Sequence, residues 1–355
     1  MMLYTDSAIM VYPPNSLLSE NWLVTSLKNK MSFKVSAPVL GVFLYCNIPR
    51  AKEDVYSYFY EKYRIDRDLI DFCLTKLIDK KLLLEDNLDS ERIKGLAYDP
   101  NIYSRWYEVN WMGALHYHLS SYDYQFIEDY EAKARMMDFS EMEKDDNRYK
   151  VYDTAPELFV PKVIDINNDL KSQYKGGCIN KDLLATILSL GYSQTGSLHV
   201  YWDGEPLLLR TSPSGGSRHP TETYVVAINV DGLDPGWYHF SVQDRSLREV
   251  KKGWPDTKSL KDLLPTTYTR AKFQVDLIFV YTSIFERNMY RYRDPRTFRT
   301  IHMDVGHLVA TTEVILEETG LEFLVQYSAN DKGIENFLNI DPLVEGYIAS
   351  MSVGR

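Results

Sequence analysis

From residue 223 onward, short β-rich runs are separated by strong turn signals, and this pattern constrains the fold more than any other. Residues 223–230 are β-branched and apolar, and Asp-Gly-Leu-Asp-Pro-Gly at 231–236 breaks them. Trp-Tyr-His-Phe-Ser-Val and Leu-Arg-Glu-Val follow, joined by Gln-Asp-Arg-Ser. Closely spaced strands with such turns predict an antiparallel meander. Residues 273–283 read as a further buried strand, and 323–328 and 346–353 as closing strands. Between them, 303–319 is an amphipathic helix with Val305, Leu308, Val309 and Leu316 on one face and Gly320 as its stop. Residues 181–190 form another helix, ended by Gly191. Antiparallel strands with intervening helices define an α+β class. The domain they build is expected to span 161–355.

Residues 1–100 read differently. An apolar run at 38–45 and an aromatic, charged stretch at 51–63 are followed by a third helix. Asp66 caps it, and Ile70, Cys73, Leu74, Leu77 and Ile78 form its stripe. Leu-Leu-Leu-Glu-Asp then reads as a strand. Three helices and a strand are the pattern of a small winged-helix-like domain. Residues 101–160 hold an aromatic helix, expected to pack on the second domain, and a charged connector.

Charge narrows the partners. The chain of 355 residues carries a formal net charge of −10, which argues against nucleic-acid binding. Cys46, Cys73 and Cys178 form no metal pattern and fit free thiols in a reducing compartment. No signal-like start is read, and the longest apolar stretch, 38–46, is too short to span a bilayer. A cytoplasmic protein with no metal site is expected.

Two segments carry the chemistry. In the first, 210–226, Pro213, Ser214, Gly215 and Gly216 form a tight loop where main-chain N–H groups can approach a ligand. Ser214 and Ser217 add hydroxyls, and Arg218 adds a fixed cation. On residue type alone, such a loop is equally a simple turn. The second, 286–308, concentrates Arg287, Arg291, Arg293, Arg296 and Arg299 with Tyr290, Tyr292, His302 and His307 in an acidic chain. Arginines before a helix can complete an anion site, though an exposed basic loop would read the same way. Asp304 is expected in the first turn of the following helix, where its dipole favours an acid.

Together these segments resemble SagB-type dehydrogenases of the nitroreductase superfamily. Pro-Ser-Gly-Gly-Ser-Arg-His-Pro at 213–220 is similar to that group's Pro-Ser-Gly-Gly-Ala-Arg-Tyr-Pro motif. The stretch 290–308 resembles its Lys-Tyr-Gly-x-Arg-x-Tyr-Arg and Asp-x-Gly-His motifs. Residues 111–123 and the closing Gly354–Arg355 extend the likeness in order.

The resemblance implies a nitroreductase-like fold and a homodimer with FMN between subunits. It places Pro213, Ser214, Gly215, Gly216, Ser217 and Arg218 against the flavin, with Arg296 and Arg299 adding cations. Gly354 and Arg355 would reach the phosphate region, and Lys171 and Ser172 fall where the group has Arg-Ser-x-Arg. Tyr174 replaces the second arginine of that motif. The group's Lys-Tyr proton-transfer pair aligns with Arg291 and Tyr292. Arginine stays protonated and is a poor base, so Tyr292 is the expected proton-transfer group and Tyr290 the reserve. The implied activity is oxidation of azoline rings in a ribosomally made precursor peptide, with a cyclodehydratase as partner. Two alternatives stay open: another flavin oxidoreductase, such as a peptide desaturase or small-molecule dehydrogenase, and a non-catalytic scaffold that docks a peptide or a cyclase.

Overall fold

A computed structural model describes residues 2–5, 9–14, 20–27, 30–86, 105–122, 131–134, 137–138, 148–163, 178–199, 206–250 and 257–355. The chain divides into two compact units, 1–124 and 125–355.

The first unit contains the three expected helices: α1 (Ala37–Tyr45), α2 (Lys52–Tyr63) and α3 (Arg67–Asp79). Val42, Phe43, Val55, Phe59, Ile70, Cys73, Leu74 and Leu77 are buried in one core. The expected strand is β6 (Leu83–Asp86), which pairs with β1 (Met2–Thr5) at the chain's start. Strands β2 (Ile9–Tyr12), β3 (Trp22–Ser26) and β4 (Met31–Val35) add an antiparallel meander that the sequence reading did not anticipate. The aromatic segment forms α4 (Met112–Ser120) and lies within this first unit. Its buried Leu115 and Leu119 pack with Leu27.

The second unit is built on a seven-stranded antiparallel sheet. Its spatial order is β16 (Glu322–Gln326), β17 (Glu345–Gly354), β15 (Val275–Ile284), β11 (Thr221–Ala227), β13 (Gly236–Ser241), β14 (Ser246–Glu249) and β7 (Pro156–Phe159). The expected meander is β11, β13 and β14. Alternation along the central strands fills a core on each face. Val225, Phe240, Leu277, Phe279, Ala349 and Met351 pack against α5 (Lys181–Tyr192) and α9 (Thr297–Thr319). Tyr224, Val226, Ile278, Val280 and Tyr347 turn the other way, toward α6 (Thr257–Leu263) and α10 (Asp331–Leu338). Each such buried aliphatic or aromatic side chain contributes roughly 1.5–3 kcal/mol against exposure.

Three local devices fix these helices. Asn180 accepts a 2.8 Å hydrogen bond from Leu183 N and caps α5. Gly320, at φ +75°, ends α9 as expected. Gly191, however, lies inside α5. A Cβ there would approach Ile315 Cδ1 to 3.4 Å, so it serves the packing of α5 on α9 and does not stop the helix. The α5–α9 contact also buries a hydroxyl chain in which Thr312 Oγ1 and Tyr281 Oη each lie 2.8 Å from Tyr192 Oη.

Candidate functional site

The glycine loop leads out of β10 (Leu207–Arg210) and into β11. Ser214–Arg218 makes one tight 3-10 turn, with Ser217 N donating to Ser214 O at 3.0 Å. Gly216, Ser217 and His219 all have left-handed backbones, at φ +62°, +53° and +45°. Glycine accepts this readily, whereas Ser and His are strained there. The packing beneath holds the strain in place.

Helix α9 supplies the main anchor. It starts at Thr297, not near Met303, so Asp304 sits two turns inside it. The first-turn placement is therefore corrected. Asp304 is buried and accepts from Ser214 Oγ at 2.7 Å and Gly215 N at 3.1 Å. Burial pushes its carboxyl above the ordinary carboxylate range, and those two hydrogen bonds offset this only in part. Ser214 Oγ also accepts from His219 N at 2.9 Å, which closes the loop on itself. Thr300, in the first turn of α9, meets Gly215 so closely that a Cβ there would lie 2.2 Å from its Cγ2.

A buried ionic chain props the loop's exit. Arg287 Nη1 lies 2.5 Å from Glu222 Oε1 and donates to His219 O at 3.1 Å. His239 Nε2 lies 2.6 Å from Glu222 Oε2. Arg218 Nε donates to Arg287 O at 2.9 Å. Burial would raise the Glu222 carboxyl, but Arg287, His239 and Arg210 outweigh it and hold it at about 2. Burial and the cations Arg210 and Arg287 push His219 down to about 3. Its neutral Nε2–H donates to Leu208 O at 2.9 Å. Burial also lowers Arg210 to about 10.

The arginine-rich segment is helical at its start, forming α8 (Glu286–Tyr292). Arg287 is 1% exposed, so the exposed-loop reading fails for it. Tyr292, at the end of α8, comes to the glycine loop: a Cβ on Gly216 would sit 1.9 Å from Tyr292 Oη. Arg296 occupies the N-cap position of α9 without a side-chain cap bond, and Arg299 lies in the first turn beside Thr300. His302 is exposed, with Nδ1 donating to Phe298 O at 2.8 Å within its own helix.

The structure thus brings Ser214, Gly215, Gly216, Ser217, Arg218 and Tyr292 together, with Pro213 leading in and the first turn of α9 beside them. Gly354 and Arg355 are elsewhere. They end β17 at its pairing with Gln274 and Val275, whereas the loop joins the sheet where Thr221 pairs with Ser283. Val275 and Ser283 are eight residue steps apart along β15, which separates the two ends by roughly 26 Å. Arg355 Nε is engaged at 3.2 Å by Asp276. Lys171 and Ser172 lie outside the described residues, as do the side chains of Tyr290 and Arg291. Among the described residues no cluster suited to a metal ion occurs, and no helix is long and apolar enough to cross a membrane.

The sequence reading missed the anchoring role of Asp304 and the Glu222–His239–Arg287 chain. A signal for the chain was present: Glu222 interrupts an otherwise apolar, β-branched strand, and a carboxylate there needs a buried partner.

An antiparallel sheet with helices on both faces, and a strained glycine loop seated on a long helix, define the class. Residues 171–355, more than half of the chain, match the nitroreductase family, and the chain belongs to that family. It is similar to the trifolitoxin-processing protein TfxB of Rhizobium leguminosarum bv. trifolii, 27% identical over 259 residues, covering 67% of this chain and 69% of TfxB. A candidate nitroreductase from Anabaena variabilis is 24% identical with a TM-score of 0.45, covering 62% of this chain and 46% of that one, so this chain spans about half its length. A chain of the E. coli microcin synthetase McbBCD complex with truncated pro-MccB17 bound is 15% identical with a TM-score of 0.41, covering 76% of this chain and 99% of that one.

Proposed function

We propose that the chain is an FMN-dependent dehydrogenase that oxidises azoline rings in a ribosomally made precursor peptide, working as a homodimer beside a cyclodehydratase. One observation carries the reading: Tyr292 Oη abuts the main chain of Gly216, so the proton-transfer candidate and the glycine loop share one site. Family membership supports a flavin oxidoreductase. The similarity to TfxB, named for toxin processing, supports a peptide substrate.

The residues present fit FMN. Gly215 and Gly216 let Thr300 and Tyr292 close against the loop main chain, where a Cβ at either glycine would collide with them. The Ser217 hydroxyl suits the hydrogen-bonding edge of a planar heterocycle. Arg218, Arg296 and Arg299 suit its anionic groups, with Lys171 and Ser172 assigned to the phosphate. Gly354 and Arg355 serve a cofactor only where their end of the sheet meets another protomer's loop. Bound FMN would supply the hydride acceptor. The chain's own part is position and proton handling. Asp304 and Arg287 hold the loop rigid, and Tyr292 Oη, as phenolate, takes the proton leaving the ring carbon while Arg291 adds local positive charge. Each oxidised ring loses two hydrogens, one as that proton and one as hydride.

Mass spectrometry of an azoline-containing peptide incubated with the FMN-loaded protein tests this. Loss of two hydrogens per ring is expected. Tyr292→Phe should keep its flavin and lose turnover by about 10²–10⁴-fold. Full activity in that variant would remove Tyr292 from the chemistry, and an unchanged peptide mass with the FMN-loaded parent would refute the activity.

A further inference from the structure

Several cations of the second unit have an acidic partner. Lys150 pairs with Glu345, Arg248 with Asp244, Arg287 with Glu222 and Arg355 with Asp276. Lys162 and Arg245 form no ion pair among the described residues, yet both line one cavity of about 400 Å³. Its other walls are the Gln194–Gly196 part of β9 (Gln194–Leu198) and the turn between β13 and β14, including Gln243. Among the described lining residues none is acidic. In a chain of net charge −10, that is an isolated positive concavity.

The cavity is held open by its own frame. Val160 N donates to Arg245 O at 2.8 Å, and Ser189 Oγ to Pro161 O at 2.8 Å. Gln194 Nε2 donates to Gly196 O at 3.0 Å, and Thr195 Oγ1 to Leu209 O at 3.1 Å. Arg245 takes a left-handed backbone, at φ +50°, to place its side chain there. An oxyanion in the cavity between Arg245 and Lys162 would accept charge-assisted hydrogen bonds from the outer edge of the guanidinium and from the ammonium.

We propose that this cavity is a binding site for a compact oxyanion, a phosphate or carboxylate group, separate from the glycine loop. The donor set suits such a group, and the volume is that of a small-ligand site. The site does not depend on flavin chemistry.

Calorimetric titration of the full chain with inorganic phosphate, and separately with N-acetyl-aspartate amide, tests it at low ionic strength. Saturable binding of one probe is expected, weakened at least tenfold by Lys162→Gln and by Arg245→Gln and unchanged by Lys258→Gln. Lys162 is exposed, so its variant keeps the test meaningful if Arg245→Gln fails to fold. Phosphate as the tighter probe would identify a phosphate-bearing ligand, and the aspartate amide a carboxylate. Binding of neither probe, or binding that both variants leave unchanged, would overturn the proposal.

Discussion

Gly216 occupies a position no other residue fits well. Its φ of +62° and the Tyr292 hydroxyl against it leave no room for a Cβ. Gly216→Ala should therefore destabilise the protein by about 1–3 kcal/mol, read as a lower Tm, and displace Tyr292 as well. Ser217, at φ +53°, is the converse: Ser217→Gly should be neutral or slightly stabilising. A Gly216→Ala protein with unchanged Tm would show that the loop is looser than described. His219 sets the acid response. Ordinarily near 6.5, it is held at about 3 by burial and by the nearby Arg210 and Arg287. Between those values the unfolded chain binds a proton that the folded chain refuses. This stability is thus complete above pH 6.5 and is lost as pH falls toward 3, with a slope up to about 1.4 kcal/mol per pH unit. Glu222, ordinarily 4.5 and held at about 2, extends the loss in the same direction below pH 4.5. Asp304, raised by burial, acts in the opposite sense and cancels in a comparison of variants. Denaturant unfolding of His219→Gln between pH 4.5 and 6.5 should show a flatter pH dependence than the parent; identical slopes would mean the imidazole is not held neutral.

Among the elements, α9 joins the core to the loop. Val305, Leu308, Val309 and Leu316 bury one stripe, as their spacing predicted, and Asp304 on the same helix holds Ser214 and Gly215. The stripe was legible because hydrophobic period depends only on sequence. The start of the helix was missed although Phe298 and Ile301 extend the stripe at helical spacing, because Arg296 at its N-cap is no ordinary capping residue. Asp304 looked like a terminal acid for that reason alone. The meander was legible from its turns, whereas β1 was not, because its partner β6 is distant in the sequence. Likewise Gly191 reads as a stop until the packing of α5 on α9 is seen. Removing the anchor should be felt at the loop first. Asp304→Ala leaves two donors unmatched, and lost hydrogen bonds to a charged group are worth about 1.5–3 kcal/mol. Flavin retention, measured as the FMN dissociation constant, should weaken by roughly ten- to a hundredfold while the far-UV spectrum stays that of a folded α+β protein. Unchanged retention would mean the loop keeps its shape without α9.

At the scale of the whole molecule, the second unit carries the family match, the loop and Tyr292, and the first unit carries none of these. The two segments that carry the resemblance, the glycine loop and α8, meet in space where Tyr292 Oη lies against Gly216. Arg355 did not join them, since β17 ends at the end of the sheet away from the loop. Flavin binding is the claim on which the proposed chemistry stands, and the visible absorption spectrum of the purified protein tests it, with the released chromophore identified by mass. The expected result is a yellow protein whose chromophore has the mass of FMN. A colourless protein that also fails to take up added FMN would contradict the account.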